Sequence, residues 1–258
     1  LRSIRENAGR SIVVMFPRQS GKNELQAQIE AYLLLLLSQH ESEIVKVSPT
    51  WKPQSLNAMR RLERVLDGNR FTRGRWKKES GYIYRLGKAR IFFLSGQPQA
   101  NIVGATASTL LAVDEAQEVG IEKFDKEIAP MAASTNATRV FWGTAWTAST
   151  LLARELRAAE AAQAQDGIQR VFRIDADTVS AEVPEYGHFV QHQIERLGRE
   201  HPFIKTQFFS EELAGEGGLF PPERIRQLQG SHTTQYAAEA GQQYAFLIDF
   251  AGCDARIA

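Results

Sequence analysis

Short apolar runs alternate with longer amphipathic segments from Ser11 to about Trp146. Runs bounded by polar turns and covered on both faces read as buried parallel strands. The strands predicted this way are Ser11–Phe16, Glu43–Val47, Arg90–Leu94, Leu110–Val113 and Arg139–Trp142. Apolar positions at helical spacing predict helices over Lys22–Ser38, Pro53–Leu66 and Ile121–Ala133. Strand and helix in alternation are the pattern of a wound α/β sheet. Tyr82–Leu86 and Arg90–Leu94 alternate on either side of Gly87-Lys88, as an antiparallel hairpin does. Past Trp146 the pattern changes. Leu151–Gln165, rich in Ala, Gln, Glu and Arg, reads as a helix stopped by Asp166-Gly167, followed by a short strand, Gln169–Ile174. Helices then fit His188–Arg199 and Pro202–Leu213, and this part is expected to be a lid or linker. The polar stretch Ser231 to Gln243 reads as a hinge, and Tyr244 to Asp249 as the start of a new buried strand.

Two places in this pattern carry chemistry. Pro17-Arg18-Gln19-Ser20-Gly21-Lys22-Asn23 joins the first strand, through Phe16, to the first long helix. A helix N-terminus offers unpaired N–H groups and a positive dipole end, Gly21 lets the backbone come close, and Lys22 supplies a point charge for phosphates. The usual GxxxxGK[ST] pattern is altered at two positions: Phe16 stands in place of the first Gly and Asn23 in place of the hydroxyl. Asn23 can offer its carbonyl oxygen to Mg²⁺, which prefers oxygen ligands, or it can cap the helix start. The second place is Leu110 to Glu115, an apolar strand that delivers Asp114 and Glu115 to the edge where open α/β sheets bind ligands. In P-loop ATPases an acid in the position of Asp114 holds Mg²⁺, usually through water, and one in the position of Glu115 activates the attacking water.

Composition narrows the class without deciding it. The chain has 258 residues, 43% of them hydrophobic, enough for one full α/β domain with a sizeable core. Its net charge of +1 confines any nucleic-acid affinity to local patches. The single cysteine, Cys253, excludes an internal disulfide and fits a reducing compartment. The longest apolar run, Ala31 to Leu37, falls far short of the roughly 20 residues needed to span a bilayer. A start at Leu1, without an initiator Met, is expected of a piece of a longer protein.

With both motifs in place the chain resembles the ATPase half of the large terminase subunit, the DNA-packaging motor of tailed bacteriophages. Arg18-Gln19-Ser20-Gly21-Lys22 matches the family's altered phosphate loop, Ser48-Pro49-Thr50-Trp51 its Ser-Pro-Thr-aromatic segment, and Asp114-Glu115-Ala116-Gln117 its acidic motif. Gly143-Thr144-Ala145 is similar to the coupling motif that senses the γ-phosphate. Tyr244 to Asp249 resembles the first strand of an RNase H-like nuclease, with Asp249 as one metal ligand of an incomplete site.

The resemblance implies a P-loop NTPase fold of the ASCE type, three layers around a mainly parallel sheet, with a small lid/linker subdomain. Residues 1–147 would form the ATPase core, 148–230 the lid and linker, 231–243 a hinge and 244–258 the opening of the nuclease. It also implies ATP and Mg²⁺ as cofactors, Glu115 and Arg18 as catalytic residues, and Asp114 with Asn23 at the metal. The implied partners are double-stranded DNA, a portal protein and a small terminase subunit. The working form would be a ring on the viral procapsid in the host cytoplasm. Where the family commonly has an Arg before the Gly that precedes the acidic strand, this chain has Val103.

A basic, aromatic cluster is the candidate DNA contact: Arg70, Arg73, Arg75, Lys77 and Lys78 around Phe71 and Trp76, with Arg60, Arg61 and Arg64 on the preceding helix. Its alternative is a solvated basic turn beside the hairpin. His188 and His192 have the spacing of a zinc helix, but Phe189 replaces the Glu of HExxH and no third ligand is evident. The rival functions are a helicase-like DNA-dependent ATPase and a non-hydrolysing, nucleotide-dependent binding module.

Overall fold

A computed structural model of the chain describes residues 1–102 and 104–213. Val103, the hinge 231–243, the strand expected over Tyr244 to Asp249, Asp249 itself and Cys253 lie outside the described residues. The chain opens with a short helix, α1 (Arg2–Arg5), and then enters β1 (Ser11–Met15), α2 (Lys22–Leu36) and β2 (Ser42–Ser48). A tight turn over Trp51–Ser55 leads into α3 (Leu56–Gly68). Next come the antiparallel strands β3 (Trp76–Glu79) and β4 (Ile83–Leu86), then β5 (Ala89–Ser95), β6 (Leu110–Val113), α4 (Ile121–Lys123) and β7 (Thr138–Gly143). The chain continues through α5 (Leu151–Asp166), β8 (Val171–Arg173), α6 (Ala176–Glu182), α7 (Pro184–Leu197) and α8 (Pro202–Phe209).

Among the described residues eight strands form one sheet in the order β3-β4-β5-β2-β6-β7-β1-β8, parallel from β5 to β8. The acidic strand β6 is separated from the phosphate-loop strand β1 by β7. Because successive strand residues face opposite sides, Val13 and Met15 pack with Leu152, Leu156 and Phe124 on one face. Val14, Ile44 and Val140 pack with Ala27, Leu34 and Leu62 of α2 and α3 on the other. Two buried cores therefore clamp the sheet, which is the three-layer arrangement expected.

All five strands expected before Trp146 are present, as is the hairpin, whose turn uses Gly87 at φ 61. Three expectations need correction. Ile121–Ala133 is not one regular helix: α4 gives way to turns of different pitch over Phe124–Ile128 and Ala129–Ala132, where Pro130 lacks the N–H that a regular helix would use. The basic segment is not all turn, since Trp76–Glu79 forms the edge strand β3. The change in composition after Trp146 marks an exposed face and not departure from the sheet. α5 packs on β1 and β7, and β8 extends the sheet beside β1. The helices α6 to α8 then enclose a small core of their own, Ala176, Tyr186, Val190, Ile204 and Phe208. Among the described residues no helix is long and apolar enough to cross a membrane.

Candidate functional site

At the C-terminal ends of β1, β6 and β7 the chain forms a cleft of about 370 Å³. Its lining brings together Pro17, Arg18, Gln19, Ser20, Gly21, Lys22 and Asn23 with Asp114, Glu115 and Thr144. The phosphate loop turns through Gln19 (φ 63) and Gly21 (φ 84), and the Ser20 hydroxyl donates to the Pro17 carbonyl at 2.7 Å. Gly21 occupies the N-terminal cap of α2, so Asn23 sits inside the first turn, exposed to the cleft. The alternative of Asn23 as the cap is thereby corrected: the cap position is filled two residues earlier.

Lys22 is the centre of the arrangement. Its Nζ lies 3.2 Å from Glu115 Oε1 and donates to Thr144 Oγ1 at 3.0 Å. A single cation thus joins the phosphate loop, the acidic strand and the strand between them. Asp114 is buried, and its Oδ1 accepts from Gln26 Nε2 at 2.8 Å and from the Glu115 N–H at 3.1 Å. Gln26 stands one turn beyond Lys22 on α2, so the helix that presents the lysine also orients the acid. Glu115 is held in a left-handed conformation, φ 43, with its Oε2 accepting from Gln117 Nε2 at 2.7 Å. The Gln117 carbonyl oxygen in turn accepts the Thr144 N–H at 3.2 Å. Gly143 is required beside this bridge: a Cβ there would lie 2.4 Å from Gln117 Oε1. Ala145 is buried in the core beneath.

Behind the cleft, Lys46 of β2 is buried and bonded to the buried Glu30 of α2 at 2.6 Å. Burial pushes the Glu30 carboxyl above the usual carboxylate range, against the pull of Lys46. From α3, Asn57 and Arg61 close the opposite wall, Arg61 lying 3.5 Å from Glu24. Gln54 accepts from the Thr50 N–H and hydroxyl and donates to Glu118 at 3.0 Å, which ties the Ser48-Pro49-Thr50-Trp51 segment to the end of the acidic one.

The basic cluster is not part of the cleft. Arg70 to Lys78 follow the C-terminal end of α3, about 10 Å along the helix beyond Arg61, the last α3 residue in the cleft wall. Arg70 stacks on Phe71, Arg73 donates to the Asp67 carbonyl, Arg75 to the Phe71 carbonyl and Lys78 to Glu63. Lys77 is exposed on β3. These side chains brace their own turn while remaining at the surface. Among the described residues no group of three or more His, Cys, Asp or Glu is placed to hold a metal, and His188 and His192 have no such company.

Gln54, Gln117 and Gln207, which line this cleft, and Gln26, which reaches it through Asp114, carried no assigned role in the sequence. Amides do not titrate and recur on any polar surface. Only the helical offset of Gln26 from Lys22 and the place of Gln117 in the acidic motif hint at their positions.

No protein-family model matches the chain, and no curated protein does. Solved structures do. The HK97 bacteriophage large terminase is similar over 81% of this chain and 48% of its own, at 14% identity and a TM-score of 0.64. The large terminase ATPase domain of Thermus phage P74-26 is similar over 80% and 89%, at 15% identity and 0.59. The large terminase of the thermophilic bacteriophage D6E in complex with ADP is similar over 80% and 48%, at 12% identity and 0.57. The chain thus spans about half the length of the HK97 and D6E proteins and nearly all of the P74-26 domain. Together with the sheet order, these likenesses assign the chain the fold of phage large-terminase ATPase domains, a P-loop NTPase fold.

Proposed function

We propose that this chain binds and hydrolyses ATP, as the ATPase part of a large terminase that moves double-stranded DNA into a viral capsid. The observation that carries the reading is Lys22, set between Glu115 and Thr144 at the head of a sheet in which β7 separates the two motif strands.

The chemistry follows from the contacts. A phosphate entering the cleft competes with Glu115 for Lys22, because phosphate offers more negative charge to the same ammonium. Glu115 is then released from the ion pair while Gln117 still holds its Oε2, which leaves it oriented to take a proton from an attacking water. Arg18, exposed on the loop, stabilises charge on the transferring phosphoryl group. The oxygen donors fit a divalent cation: Asp114 is fixed through its Oδ1, and Asn23 adds a carbonyl oxygen. Mg²⁺ held there would neutralise charge on the β and γ phosphates. Thr144, bonded to Lys22 and through its N–H to Gln117, senses loss of the γ-phosphate.

In this reading α6 to α8 are the lid, and residues 231–243 and 244–258 are the hinge and the opening of a nuclease domain with Asp249 as a metal ligand. DNA, a portal protein and a small terminase subunit are the partners, and a ring on the procapsid in the host cytoplasm is the working form. The basic cluster of Arg70 to Lys78 is the DNA contact. Steady-state ATP turnover with and without double-stranded DNA tests the reading, with Glu115→Gln beside the parent. Loss of turnover by roughly 10²–10⁴ with nucleotide affinity kept is expected. Nucleotide binding without turnover in the parent would replace the ATPase with a binding module.

A further inference from the structure

The Arg18 peptide is held by the helical unit and not by the rest of the phosphate loop. Its N–H donates to the Gln207 carbonyl at 2.7 Å, and its carbonyl accepts from the Tyr186 hydroxyl at 2.8 Å. Gln207 lies in the last turn of α8, where helix carbonyls lack an intrahelical donor, so the loop N–H satisfies a group the helix leaves open. Tyr186 lies in the first turn of α7, with its ring in the small core beside Val190 and Phe208. Two helices of one packed unit therefore grip both sides of a single residue. The residue that follows is Gln19 at φ 63, a conformation a non-glycine side chain keeps only where its surroundings fix it. Burial pushes the Tyr186 phenol up to about 12, so it remains a donor throughout the neutral range.

We propose that Tyr186 is a positioning residue for Arg18. Its hydroxyl, with the Gln207 carbonyl, fixes the Arg18 peptide so that the guanidinium stays on the cleft side of the loop. This rests on the ATPase reading for its consequence in turnover, but not for the contact itself. Positioning through the main chain leaves the whole Arg18 side chain available to phosphate. It also makes the phosphate loop dependent on a unit that is distant in sequence. A shift of Arg18 toward a ligand must then stretch two bonds to the helices, and a shift of the helices must move Arg18.

The test compares Tyr186→Phe, Arg18→Ala and the double variant. Phe keeps the ring in its core and removes only the hydroxyl. Amide hydrogen exchange over residues 17–21 without nucleotide should speed up about tenfold in Tyr186→Phe. An unchanged rate overturns the proposal. In turnover, Tyr186→Phe should lower kcat about tenfold and leave KM within about twofold, with no further loss when added to Arg18→Ala. Full additivity of the two substitutions, or parental kcat in Tyr186→Phe, also overturns it. If the parent hydrolyses no ATP, the ATPase reading falls, and the exchange rate alone decides the role of Tyr186.

Discussion

Gly143 offers the sharpest perturbation, because two side chains close on it at once. A Cβ at this position would lie 2.4 Å from Gln117 Oε1 and 2.5 Å from Leu152 Cδ2, where ordinary contact begins at 3.4 Å. Gly143→Ala therefore demands about 1 Å of movement from each neighbour. Leu152 is fully enclosed in the core and can retreat only by disturbing Val113 and Phe141's cluster. Gln117 is more mobile, but both ends of its amide are bonded, to Glu115 and to the Thr144 N–H. Overpacking of this kind costs about 1–3 kcal/mol. The loss of unfolded-chain entropy on adding a methyl returns about 0.4–1 kcal/mol, so the contact term wins. Backbone strain does not enter, since Gly143 is not in the left-handed region. At about 2–4 °C per kcal/mol for a domain of this size, Tm should fall by roughly 2–8 °C. Turnover should fall about tenfold as Gln117 releases Glu115. Gly120→Ala is the control, because a Cβ there meets only Lys123, at 3.9 Å. Thermal melting and ATP turnover of the two variants check the reasoning. Parental Tm and turnover in Gly143→Ala would refute it.

Lys22→Ala should weaken nucleotide binding at least tenfold, because the phosphates lose their point-charge partner; titration with a fluorescent ATP analogue measures it, and parental affinity removes Lys22 from the site. Lys46→Met should destabilise the chain by about 3–5 kcal/mol by leaving Glu30 buried without its cation, and Lys46→Met with Glu30→Met should restore most of the loss. Denaturant unfolding of the three variants decides this, and a double variant no better than the single would contradict it. For DNA, neutralising Arg73, Arg75 and Lys77 should flatten the slope of log K against log salt by up to about three units. A slope that does not change would mark the cluster as a solvated turn.

The sheet was legible because its strands are buried on both faces and therefore read as unbroken apolar runs, as at Leu110–Val113. Helix α2 was legible from the apolar run Ala31 to Leu37, and because Gly21 and Lys22 mark its start. Part of what the pattern did not mark was set by long-range pairing. Trp76–Glu79 is mostly charged, and only pairing with Ile83–Leu86 makes it a strand. Ala176–Glu182 is short and polar, and Asp175 caps it through the Thr178 N–H, a signal too local to stand out. In the site, the charged residues announced themselves through their motifs, whereas Tyr186 and the four glutamines act through contacts between residues far apart in the chain.

The altered phosphate loop shows how a missing glycine is accommodated. In the usual pattern the first Gly opens the turn; here Phe16 stands there and would resist a left-handed conformation. It does not need one. Phe16 continues from β1, its N–H donating to the Gly143 carbonyl at 3.2 Å and its own carbonyl lying 3.4 Å from Thr144 Oγ1. Its ring packs against the core on the α2 face. The turn is thereby displaced to Gln19 and Gly21. Gly21 takes its share without steric cost, but Gln19 does not, so something must hold the loop in place. The two bonds from α7 and α8 to Arg18 do this one residue earlier. A glycine-rich loop carries its conformation in its own sequence. This loop takes part of its conformation from Tyr186 and Gln207, so the departure at Phe16 and the grip of the helices are two sides of one arrangement.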